Sequence, residues 1–61
     1  MEITEEDYNK VCKGITPSII RAVEREMPDG TPKEKLLRCA WYSASETEDA
    51  LNKILGVTLR E

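Results

Sequence analysis

A chain of 61 residues with a net charge of −3, two cysteines and no histidine can form at most one small domain. A structural zinc site needs about four Cys, His or acidic ligands, and no spacing here suggests one. The acidic balance argues against non-specific binding to nucleic acids, which depends on many Lys and Arg side chains that neutralise phosphates.

The first predicted helix begins after Thr4, an N-cap residue that has Asp7 three positions on, at the spacing of a capping box. Gly14 is expected to end this helix. The apolar residues between these limits recur at the spacing of one helical face: Tyr8, Val11, Cys12 and Ile15.

A second helix is predicted to begin at once, with Thr16 as the N-cap and Pro17 at the first helical position, where its missing N–H costs nothing. The segment 28–30, Pro-Asp-Gly, is typical of a turn and is expected to end it. Its apolar stripe is Ile19, Ile20, Val23 and Met27.

A third helix is predicted from Thr31, Pro32 and Glu34, which form a capping box with proline at the first position. Its inward residues are expected to be Leu36, Leu37, Ala40, Trp41 and Ala44. The same cap signature recurs at Ser45, so we expect a break or bend there. The alternative is one helix that continues from 32 to 55.

The last stripe is formed by Ala50, Leu51, Ile54 and Leu55, and Gly56 is expected to close it. The chain is therefore predicted to be all-α, a compact bundle of three to four short helices with no sheet. Helices this short depend on packing their apolar stripes against one another. We expect residues 1–61 to be a single domain.

The segment 36–44 is apolar around almost its whole circumference, because Trp41 and Tyr42 lie about 100° apart on a helix and cannot both centre on one stripe. One interpretation is a central helix wrapped by the others. The other is that one face of the helix binds a larger protein or a second copy. The predicted partner-binding residues are Arg38, Cys39, Trp41, Tyr42 and Leu59.

Catalysis and cofactor binding are not expected. No histidine is present, no base is placed to activate a cysteine, and the three glycines are isolated rather than grouped in a phosphate-binding loop. Cys12 and Cys39 are expected to be structural thiols, although the sequence leaves a single disulfide between them open. With no membrane-spanning run and no signal peptide in the acidic start, we expect a cytoplasmic protein.

A different class of function, DNA binding by a helix-turn-helix, is the alternative. The second and third helices and the turn between them have suitable lengths, and Lys33 and Lys35 would face the major groove. Against it, Pro32 and Glu34 occupy the same helix start and the domain is acidic.

Two partial resemblances suggest a small helical accessory protein of bacteria or phages. Residues 7–8, 42–44 and 52–53 are similar, at comparable offsets, to the Hha/YmoA family of small helical nucleoid modulators, which bind a larger DNA-binding protein. Residues 17, 22–26 and 28 are similar to a stretch of the theta subunit of bacterial DNA polymerase III. Because the matching residues are few and the two families differ, we assign the chain to neither.

Overall fold

Four short helices joined by tight turns make up residues 2–57, the part of the chain that the computed structural model describes. No strand occurs in that range, so the predicted all-α bundle is confirmed. The third helix contacts each of the other three and is the central element of the bundle. The helices are α1 (Glu5–Cys12), α2 (Pro17–Glu26), α3 (Pro32–Tyr42) and α4 (Ala44–Ile54).

Both predicted capping boxes are present. At the start of α1, the Thr4 hydroxyl accepts a hydrogen bond from the Asp7 backbone N–H (3.1 Å), and the Asp7 carboxylate accepts one from the Thr4 N–H (3.3 Å). Thr31 and Glu34 form the same pair of bonds at the start of α3. Each box satisfies two N–H groups that a helix start leaves without a partner, so these two helix starts are fixed locally.

The predicted break between the last two helices exists, but it lies two residues earlier than Ser45. The chain leaves α3 after Tyr42, and Ser43 alone, with φ −151° and ψ 86°, separates it from α4. The Ser43 side chain makes no capping bond. Glu46 instead reaches the start of α2, where its two carboxylate oxygens accept bonds from the Thr16 N–H and hydroxyl, both at 2.9 Å. This contact joins α2 to α4.

The two glycines that were expected to end helices have different roles. Gly56 closes α4 with φ 67°, and its N–H donates to the Asn52 carbonyl at 3.1 Å, which is the glycine-dependent C-terminal motif. Gly14 lacks a positive φ and follows the C-cap residue Lys13. A Cβ atom at Gly14 would lie 3.2 Å from the Cβ of Ala50, so its small size permits the close approach to α4.

The core draws on all four helices and on the segments before α1 and α2. Partly buried side chains, Cys12 and Val57 among them, pack around it. The buried apolar residues are Ile3, Tyr8, Val11, Ile15, Val23, Leu36, Cys39, Ala50 and Leu51.

One polar side chain also lies in this core. Thr47 has no exposed surface, and its hydroxyl has no hydrogen-bond partner among the described residues. A buried hydroxyl without a partner costs about 1–3 kcal/mol relative to a satisfied one.

Thr47→Val should therefore raise the free energy of unfolding by about 1 kcal/mol, because valine keeps the side-chain shape and removes the unpaired hydroxyl. Urea denaturation followed by circular dichroism would measure the change. Thr31→Val is the matched control, since that hydroxyl caps α3 and its loss should lower stability by about 1 kcal/mol. A loss of stability in Thr47→Val would mean that its hydroxyl has a favourable partner in solution.

Candidate functional site

The inward face of α3 differs from the predicted one. Leu36 is fully buried and Ala40 is half-buried, as expected, but Leu37 and Trp41 are 46% and 69% exposed. Ala44, the last residue of the predicted stripe, is exposed and belongs to α4. The neighbouring helices cover α3 on the side of Leu36, so the exposed face carries large apolar side chains.

Of the five predicted partner-binding residues, Cys39 was predicted wrongly. Its side chain has no exposed surface and lies in the core, because it is on the same side of α3 as Leu36. Cys39 cannot contact a partner from the folded state. Leu59 lies outside the described residues, and its neighbour Val57 packs against the core. The thiols of Cys12 and Cys39 are free.

The other three predicted residues, Arg38, Trp41 and Tyr42, lie together. The Arg38 guanidinium carbon is 4.4 Å from the centroid of the Trp41 ring and 5.6 Å from that of Tyr42. The two rings meet edge to face, with their centroids 5.1 Å apart. Such cation–π and edge-to-face contacts hold exposed aromatic rings in a defined position.

Glu26, the last residue of α2, fixes this cluster from the neighbouring helix. One carboxylate oxygen accepts a hydrogen bond from the Arg38 Nε at 2.8 Å, and the other accepts one from the Tyr42 hydroxyl. Sequence reasoning missed Glu26, because the contact joins residues that lie far apart along the chain. The result is an arginine held between an acid and two aromatic rings.

A shallow, open groove of about 550 Å³ runs beside this cluster, between the end of α2 and α3. Met27 and Leu37 supply apolar surface, whereas Glu26 and Glu34 add two carboxylates. Arg38 and Trp41 complete its lining. A groove with apolar walls and charged groups at its edges suits a side chain of another protein better than a small polar substrate.

We define the outer face of α3 by its five exposed or half-exposed residues on the side away from the core. Trp41 is the most exposed of them, and Tyr42, 40% exposed, lies at the edge of this face. The five residues are Lys33, Glu34, Leu37, Arg38 and Trp41.

The two lysines of the helix-turn-helix alternative lie on different sides of α3. The Lys35 ammonium is 5.5 Å from the centroid of the Tyr8 ring, in α1, and its side chain is half-buried. Lys33 is exposed on the outer face. Because residues two apart on a helix diverge, the pair does not form the single basic surface that the alternative requires. Salt-sensitive duplex binding lost on changing both lysines remains its test.

A second polar cluster connects α1 to α2. The Tyr8 hydroxyl donates a hydrogen bond to the Glu24 carboxylate at 3.2 Å, while the Tyr8 ring lies in the core. Burial is the main reason that the pKa of Tyr8 is raised, and the nearby Cys12 and Glu24 raise it further. The contacts of this cluster explain it as a tether between the two helices.

Within residues 2–57, no three His, Cys, Asp or Glu side chains are grouped so that they could hold a metal ion. None of the helices in that range has the length and apolar character of a membrane span. Comparison with protein-family models, with curated proteins and with solved structures finds no match for the chain. The outer face of α3 is therefore the candidate site on its geometry alone.

Proposed function

We propose that this chain is a small protein-docking module that acts by binding another protein, a larger one or a second copy, through the outer face of α3. The observation that carries the proposal is the exposure of Trp41, 69%, on a helix whose opposite side forms the centre of the core. Trp, Tyr and Arg dominate the binding energy of protein interfaces, and three such side chains lie together here.

The positions of these side chains favour a binding role as the explanation of their exposure. Arg38 is paired with Glu26 and stacked on Trp41, so both aromatic rings are held in place before a partner arrives. A side chain that is already ordered loses little conformational entropy on binding, which leaves more of the contact energy for affinity. The module thus presents a preorganised aromatic anchor beside an apolar groove.

Trp41→Ala should weaken binding to a protein partner by about 2–4 kcal/mol, the usual loss at a hot spot, with little effect on folding because the side chain lies outside the core. The measurement is affinity capture with the tagged chain from an extract of the cells that express it, quantified by mass spectrometry. Sedimentation equilibrium on the purified chain measures self-association in parallel.

Ile54→Ala is the matched control, because Ile54 is exposed to the same 40% as Tyr42 but lies beside Gly14, near the end of α1. We expect it to retain every association that the unmodified chain makes. If Trp41→Ala and the unmodified chain recover the same proteins in the same amounts and self-associate equally, the outer face of α3 is not the docking surface.

A further inference from the structure

We propose that the occupant of the outer face of α3 is a second copy of the same chain, packed antiparallel so that Lys33 of each copy lies against the free side of the Trp41 ring of the other. This proposal rests on the proposed function, since it names the partner for the same surface. Arg38 covers one side of the Trp41 ring at 4.4 Å, and the ring remains 69% exposed, so a second cation has access to it.

The spacing along α3 is suited to a two-fold axis. Lys33, Leu37 and Trp41 are separated by four residues each, so they follow one another along the same stripe of the helix. At 1.5 Å per residue, Lys33 and Trp41 lie about 6 Å on either side of Leu37. If a two-fold axis perpendicular to α3 passes beside Leu37, the helices run antiparallel, Leu37 meets its own copy, and each Lys33 lies opposite a Trp41.

The same alignment brings opposite charges together. Glu34 precedes Leu37 by three residues and Arg38 follows it by one, so in the antiparallel pair the two lie about 3 Å apart along the axis. Arg38 uses its Nε for Glu26, and its other guanidinium nitrogens can donate to Glu34 of the second copy. The two Arg38 residues also lie about 3 Å apart along the axis, so Glu26 of the same copy and Glu34 of the other must offset the repulsion between them.

Lys33 is otherwise poorly placed. It is the second residue of α3, where the helix dipole favours acids and disfavours a cation. Lys33 has no ion-pair or hydrogen-bond partner among residues 2–57. Residues that conflict with their local structure without an evident compensation are expected at functional positions. The exposed Trp41 ring of a second copy supplies that contact.

The surface carries both members of each complementary pair, a cation with an aromatic ring and an acid with a base. An interface formed by the same patch on two copies requires both members of each pair on one surface. To bind a different protein, this surface would need only one member of each pair, because the partner would supply the other. With only two large apolar side chains per copy, Leu37 and Trp41, the dimer should be weak, with a dissociation constant above about 1 µM.

The first test is sedimentation equilibrium of the unmodified chain up to about millimolar concentration, with emission from Trp41, the sole tryptophan, followed over the same dilution series. We expect a monomer–dimer equilibrium and a blue shift of the emission as the dimer forms. Lys33→Ala should raise the dissociation constant about 5- to 30-fold, the effect of two cation–π contacts. Lys13→Ala, at another exposed lysine without an ion pair in the described residues, should leave it unchanged.

Mixing variants tests the antiparallel pairing directly. A dimer of Lys33→Ala or of Trp41→Ala retains neither contact, whereas a mixed dimer retains one, because the first variant still has Trp41 and the second still has Lys33. We expect mixed dimers to exceed the statistical proportion by about 2- to 5-fold. In a parallel pairing each residue would meet its own copy, and mixing would give no excess.

The outcomes separate this proposal from the proposed function. A chain that stays monomeric at millimolar concentration, or a dimer that is indifferent to Lys33→Ala and shows no excess on mixing, overturns the antiparallel second copy. The docking surface would still stand if capture of a protein from the extract depended on Trp41. If neither self-association nor capture depends on Trp41, both proposals fail.

Discussion

Leu36→Ala is expected to remove at least about a third of the free energy of unfolding of the chain. Leu36 has no exposed surface and lies on the central helix, so its truncation loses burial and opens a cavity, at a cost of about 3 kcal/mol. A domain of this length has a total stability of roughly 3–9 kcal/mol. The same loss should lower the melting temperature by at least about 12 °C.

The neighbouring residue provides the control. Leu37 is chemically identical and one position along, but it is 46% exposed on the outer face of α3. Leu37→Ala should cost less than about 1 kcal/mol of folding stability and should instead weaken association. Thermal melts of both variants, followed by circular dichroism, would test the pair. If both variants lost the same stability, α3 would not lie in the bundle with Leu36 inward and Leu37 outward.

A second large effect is expected at alkaline pH. Burial, together with smaller effects of the nearby Cys12 and Glu24, raises the pKa of the Cys39 thiol from about 9 to about 11. Between these values the folded chain keeps the proton that the unfolded chain has released, so the free energy of unfolding falls as the pH rises. The loss should be on the order of 2–3 kcal/mol between about pH 9 and pH 11.

Two variants separate the groups that contribute to this loss. Cys39→Ala removes the thiol and should flatten the dependence of stability on pH above 9. Tyr8→Phe removes a second buried acid whose pKa is also raised, and should flatten the more alkaline part of the curve. Urea denaturation at a series of pH values would measure both slopes. An unchanged slope in Cys39→Ala would place its thiol in contact with water.

The burial of Cys39 has a consequence for thiol chemistry. A fully buried thiol with a raised pKa reacts with alkylating reagents only when the chain opens, so Cys12, which is half-buried, should be modified first. Burial raises the pKa of Cys12 as well, so its reaction should also accelerate with pH. If Cys39 instead faced a partner, its thiol would be exposed and would be modified before that of Cys12.

The sequence alone determined the features that depend on neighbouring residues. Thr4 with Asp7, and Thr31 with Glu34, fixed two helix starts because the bonds of a capping box span only three residues. Gly56 ended the last helix, because the required positive φ is cheap only for glycine. Together with the helical spacing of the apolar residues, these signals were sufficient for the all-α fold.

Only the tertiary structure decided which side of each helix is buried. The helical period sets the spacing of the apolar residues in α3, but contacts with the neighbouring helices decide which side of α3 faces the core. For that reason Leu36 and Cys39 are buried, while Leu37 and Trp41 are exposed. Contacts between residues that are distant along the chain decided how the helices are joined and how the exposed side chains are held. Glu46 reaches Thr16 across 30 positions of the chain, and Glu26 holds Arg38 beside the aromatic rings. The candidate docking surface exists because those long-range contacts leave one face of the central helix uncovered.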